Sequence, residues 1–111
     1  MSSEYQPGDL ILVEIPFADL TGVKKRPALV LLARDEDYLV AFVTSRLDQA
    51  TPGDVVLRHS KANGLAVDSA VLVQKLFTVH GSLIARRLGR CSPASHRKVV
   101  EELSARLTKN L

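Results

Sequence analysis

The sequence predicts a mainly β protein: a small antiparallel barrel or curled sheet closed by a C-terminal helix. Three observations carry this expectation. Short apolar runs of four to eight residues, rich in Val, Leu and Ile and bounded by turn residues, fill the first three-quarters of the 111-residue chain, which suits strands better than helices. No segment of helical period separates them, so the alternating α/β architectures are excluded. With 46% hydrophobic residues and 15 basic against 12 acidic side chains, the chain can bury a core and is not disordered. That core is aliphatic, because there is no Trp and the only aromatics are Tyr5, Phe17, Tyr38, Phe42 and Phe77.

Taken in order, Pro7-Gly8-Asp9 introduces a first strand over 10–15 (LILVEI), and Pro27 introduces a second over 28–33 (ALVLLA). An acidic turn, Arg34-Asp35-Glu36-Asp37, leads to a third over 38–44 (YLVAFVT), and shorter strands follow at 54–57, 70–74 and 77–79. Ser92-Pro93 then reads as an N-cap with proline at the first helical position. Beyond it Val99, Val100, Leu103 and Leu107 mark one face of a helix over 93–108, with charged residues on the other face. Three connections are long enough to carry function, 19–26, 46–53 and 58–68, and loops on a rigid barrel are where sites sit.

The length bounds the chain to one domain over 1–111 and leaves no room for separate cofactor and substrate lobes. The single cysteine, Cys91, excludes an internal disulfide and a multi-cysteine zinc site. His59, His80 and His96 lack ligand spacing, so no metal and no other cofactor is expected. With no signal-peptide pattern, and no apolar stretch approaching the length of a membrane span, a cytoplasmic protein free of membrane is expected. A chain this short buries a modest share of its surface, which favours a homo-oligomer.

The net charge of +3 is unevenly spread: residues 1–85 carry eight cationic against ten anionic side chains, residues 86–111 seven against two. A basic tail permits a polyanionic partner without identifying one. Two segments carry more chemistry. In the first connection Gly22 is followed by Lys24, Lys25 and Arg26, with Pro27 fixing the strand entry; glycine lets the chain fold back and the cations offer a phosphate site. At the end of the third strand, Thr44-Ser45-Arg46 presents two adjacent hydroxyls able to bond phosphate oxygens. Each segment also has a plain reading, a solvated basic turn and a strand terminator.

Together these pieces resemble the MazF/PemK toxins, the ribonuclease half of bacterial type II toxin–antitoxin pairs. The resemblance runs from Pro7-Gly8-Asp9-Leu10-Ile11-Leu12-Val13 through Pro16-Phe17, Lys24-Lys25-Arg26-Pro27-Ala28-Leu29-Val30-Leu31 and Val43-Thr44-Ser45. It continues through Gly64-Leu65, Ser69, Lys75-Leu76-Phe77-Thr78 and Gly89 into the terminal helix. It implies an SH3-like barrel assembled as a homodimer, metal-independent cleavage of single-stranded RNA, and a cognate antitoxin whose disordered tail occupies the dimer groove. By position Arg26 and Thr44 are the expected catalytic residues, with Lys24, Lys25, Ser45 and Phe17 as substrate contacts. Arginine stabilises a phosphorane with a planar fork of donors that lysine cannot reproduce, and Thr44 is expected to donate to a phosphate oxygen and help hold that arginine. Glu14 and Asp19 are expected to be solvated or salt-bridged, leaving the acid and base open. Phe42 stands where many members carry Pro, and points into the core or widens the apolar wall beside the site. His80-Gly81 replaces an acidic–basic pair, with a tolerated turn as the expectation. Two other uses of the same fold stay open: a toxin that blocks a protein such as gyrase through its terminal helix, and an RNA-binding barrel without turnover.

Overall fold

Among residues 3–16, 19 and 21–111, which the computed structural model describes, six strands form one antiparallel sheet. They are β1 (Asp9–Pro16), β2 (Val23–Arg34), β3 (Asp37–Thr44), β4 (Val55–Leu57), β5 (Ser69–His80) and β6 (Ile84–Arg90), and a helix, α1 (Pro93–Lys109), follows. Their order is β4-β5-β3-β2-β1-β6, curled into a half-barrel with β4 and β6 as its edges.

The continuous apolar runs of the central strands follow from burial on both faces. Alternate residues serve two separate cores. Leu10, Leu29, Leu31, Ala41, Val43, Val71 and Val73 pack with Val99 of α1 on one side, and Ile11, Val13, Ala28, Val30, Tyr38, Val40 and Phe42 pack with Val79 and Ile84 on the other. The helix starts where its cap predicts: the Ser92 hydroxyl accepts the Ser95 N–H at 3.2 Å, and Pro93 is its first residue. Among the described residues no helix is long and apolar enough to cross a membrane.

Three expectations change. The two short segments at 70–74 and 77–79 are parts of one strand, β5, whose residues 72–75 bulge out opposite Phe42, where pairing steps from Ala41–Leu76 to Val43–Val71. Strand β6 was not anticipated. Its sequence, IARRLGR, is charged because it is an edge strand paired only to β1, and charge on an edge suppresses unwanted pairing. Its Gly89 packs against the backbone of Ala62 and Asn63, where a Cβ would collide. Finally, Lys24, Lys25 and Arg26 belong to β2 rather than to a loop, because β1 pairing continues as Ile15–Lys24, Glu14–Lys25 and Val13–Arg26. The predicted turn at His80-Gly81 is present: the His80 ring accepts the Ser82 N–H at 3.1 Å, and the Gly81 N–H reaches Glu36 O at 2.7 Å.

Candidate active site

Incorporation of the basic segment into a strand gives its side chains defined directions, since successive residues of a strand point to opposite faces. Arg26 shares the face of Ala28 and Val13, and Lys24 lies on that face too, opposite Ile15. Lys25 turns to the other face, opposite Glu14, so the predicted trio of cations is divided by the pleat. Arg26 is exposed, and among the described residues its guanidinium has no ion-pair or hydrogen-bond partner.

Thr44 ends β3 and lies opposite Ala70 of β5. The last rung between β2 and β3 joins Ala28 to Phe42, and one alternation beyond it on each strand stand Arg26 and Thr44, on the same face of the sheet. Thr44 is 7% exposed. Its Oγ1 accepts the Arg46 N–H at 3.1 Å, which ties the hydroxyl to the start of the 46–54 connection instead of to Arg26, and leaves the O–H hydrogen available to donate. Ser45 follows as an exposed residue. Phe17 lies outside the described residues.

Two carboxylates at this end of the sheet can be assigned. Asp19 accepts the Thr21 hydroxyl at 2.7 Å and the Thr21 N–H at 3.1 Å; these bonds, the side-chain one first, hold its carboxyl below the usual range. It is a turn-forming carboxylate, ionised at neutral pH. Asp68 accepts the backbone N–H of His59 at 2.9 Å and its ring Nδ1 at 2.8 Å, and these bonds, the backbone one first, hold it low as well. The contact through Nδ1 orients an imidazole that is otherwise largely exposed. Leu57–Ser69 is the last rung of β4 and β5, so this pair emerges from the same end of the sheet as Thr44. Sequence spacing did not reveal it, because the partners are joined by closure of the 58–68 connection and not by periodicity.

Among the described residues no three His, Cys, Asp or Glu side chains cluster to hold a metal ion. What remains is an exposed guanidinium and a strand-end hydroxyl on one face of the sheet, groups of a kind that bond anionic oxygens. Residues 6–107 match the family model described as PemK-like, MazF-like toxin of type II toxin–antitoxin system. The chain belongs to this toxin family.

No curated protein sequence matches the chain significantly. Solved MazF structures share its fold. A MazE–MazF complex from Deinococcus radiodurans superposes with a TM-score of 0.77 at 20% identity, covering 94% of this chain and 96% of that one. The Mycobacterium tuberculosis toxin MazF-mt6 gives 0.71 at 18% identity, covering 90% and 96%. A mycobacterial endoribonuclease in complex with its cognate antitoxin gives 0.71 at 17% identity, covering 94% and 95%. The MazF-like half-barrel therefore spans nearly the whole chain.

Proposed function

We propose that this MazF/PemK-family protein acts as one cytoplasmic domain over 1–111, a homodimeric endoribonuclease restrained by a cognate antitoxin. It cuts single-stranded RNA without a metal. The observation that supports the reading is the Arg26 guanidinium, exposed and without a partner among the described residues, on the face it shares with Thr44. In the reaction the 2′-oxygen attacks the adjacent phosphorus and loses its proton. The bond from phosphorus to the 5′-oxygen breaks, and that oxygen takes a proton. The products are a 2′,3′-cyclic phosphate and a 5′-hydroxyl. Charge builds on the non-bridging oxygens, where Arg26 donates two hydrogen bonds and Thr44 one. Lys24 and Ser45 steady the neighbouring phosphates, Lys25 adds long-range attraction from the other face, and Phe17 contacts a base.

The related fold use, a block on a protein partner through the end of α1, is disfavoured by the state of Arg106. Its guanidinium is engaged by Glu102, Gln74 and Pro52 rather than offered to a partner.

The test is cleavage of labelled RNA in EDTA with analysis of the new ends. Cyclic phosphate product with the wild type, and a loss of about 100- to 1,000-fold on Arg26→Ala with folding retained, is the expected result. Equal cleavage, or equal growth arrest, by wild type and Arg26→Ala would refute it.

A further inference from the structure

The described aromatics fall into two edge-to-face pairs with different fates. Tyr5 and Tyr38 lie 5.5 Å apart between ring centroids, and the buried Tyr38 hydroxyl accepts the N–H groups of Glu4 and Tyr5 at 3.1 and 3.3 Å. That pair is structural and fully explained. Phe42 and Phe77 lie 4.9 Å apart with rings at 66°. Phe42 is buried, yet Phe77 is 55% exposed, in a chain with so few aromatics that an exposed one needs a reason.

Position supplies it. Phe77 pairs with Val40, on the face that carries Phe42 and, one alternation further, Thr44. Because β5 bulges at 72–75, Phe42 has no directly opposed partner on β5, and the Phe77 ring packs against it with the two planes at 66°. Bulges re-aim side chains beside active sites. Val40, the residue opposite Phe77, stands four residues from Thr44, about 13 Å along the strand, within reach of a short single-stranded segment that runs from the site. Unpaired RNA bases are bound by stacking on exposed aromatic faces.

We infer that Phe77, braced by Phe42, is a stacking platform for an RNA base flanking the phosphate held by Arg26 and Thr44. This rests on the proposed RNA-cleaving function, and deepens it by adding a base subsite. The platform discriminates by planarity, so it strengthens binding with little preference among bases.

Two substitutions of one residue test it in the full chain. Phe77→Leu keeps an apolar side chain but removes the plane. Phe77→Trp keeps the plane, and because the chain has no tryptophan of its own it introduces a unique fluorophore. The probe is a randomised pool of single-stranded 2′-O-methyl oligoribonucleotides, which cannot be cleaved. The expected results are quenched emission from the Phe77→Trp protein and wild-type affinity, against binding weakened about 5- to 150-fold in Phe77→Leu. Unquenched emission, or wild-type affinity in Phe77→Leu, overturns the platform. So does a change of oligomeric mass by light scattering in both variants, which would make Phe77 a subunit contact. The two readings fail separately: quenching without cleavage of natural RNA removes the ribonuclease and keeps the platform, and cleavage without quenching does the reverse.

Discussion

Arg26 and Arg90 sit on neighbouring parts of one sheet, yet they are opposites. Arg90 donates to Asp9 Oδ1 at 2.6 Å and to Pro7 O at 3.2 Å, and the Asp9 side chain is only 1% exposed. Arg87 stands 3.8 Å from the same carboxylate, whose other oxygen accepts the Gln6 N–H at 2.8 Å. Two cations of the basic tail thus hold the fold: Arg90 ties β6 to β1, and Arg106 ties α1 to the 51–54 turn. Arg26, in the part of the chain where acidic residues outnumber basic ones, has no such partner among the described residues. On the proposed function, charge composition points away from the site, and it is the partners of each arginine that separate a structural role from the proposed chemical one.

The sharpest way to break this contrast is to exchange the two consequences. Arg26→Ala is expected to lower cleavage by about 100- to 1,000-fold with an unchanged urea midpoint. Arg90→Ala is expected to do the opposite, costing about 3 kcal/mol of stability because it leaves a buried carboxylate without its main counter-charge, while each folded molecule cleaves normally. Arg87→Ala, at longer range and from a more exposed side chain, is expected to cost less than about 1 kcal/mol. A destabilised Arg26→Ala, or a folded but inactive Arg90→Ala, would dissolve the distinction.

The same contrast marks how far the sequence could be read. The strands over 28–33 and 38–44 were legible because burial on both faces over 28–31 and 40–44 makes their apolar runs continuous. The helix was legible through Ser92-Pro93 and the spacing of Val99, Val100, Leu103 and Leu107, although only Val99 and Leu103 of that face pack on the core and Val100 and Leu107 are exposed. Strand β6 was not legible: an edge strand needs no apolar alternation, and IARRLGR looks like a basic tail. Arg26 and Thr44 stood out by resemblance, but the separation of Lys25 from Arg26 depends on pairing with Glu14 and Val13, a fact of register. His59–Asp68 and Phe42–Phe77 are contacts made by chain closure and by a bulge, neither of which has a local signature.

Arg106 offers a weaker break in the comparison. Its side chain, 20% exposed, bonds Glu102 at 3.1 Å, Gln74 at 2.7 Å and Pro52 O at 3.0 Å. Gly53 packs so closely that a Cβ would collide with Arg106 and Glu102. The turn it clasps closes the connection that begins at Thr44. Arg106→Ala is expected to cost about 1.5 kcal/mol, less than Arg90→Ala, because Asp54 keeps the Val73 N–H at 3.0 Å and the Thr51 N–H at 2.9 Å. Hydrogen exchange is expected to rise at 51–54 and not in β1 or β6. Faster exchange throughout the sheet would mean that this arginine supports the whole fold and not one turn.

The smallest effect concerns a neighbour of Arg90. Burial first, and the Arg90 guanidinium second, hold the His96 imidazole below its ordinary value, and its buried Nδ1 has no hydrogen-bond partner among the described residues. As pH falls below about 6.5 the unfolded chain takes up a proton that the folded ring resists. Stability therefore declines from that point until the pH passes the folded value, and is level below it. His96→Gln is expected to flatten this part of the stability profile. Arg90→Gln removes the charge while keeping a donor near Asp9, so it is expected to raise the His96 titration measured by NMR, whereas Arg26→Ala leaves it unmoved. If His96 titrates identically in Arg90→Gln and wild type, burial alone sets its proton affinity, and the field of Arg90 ends at Asp9.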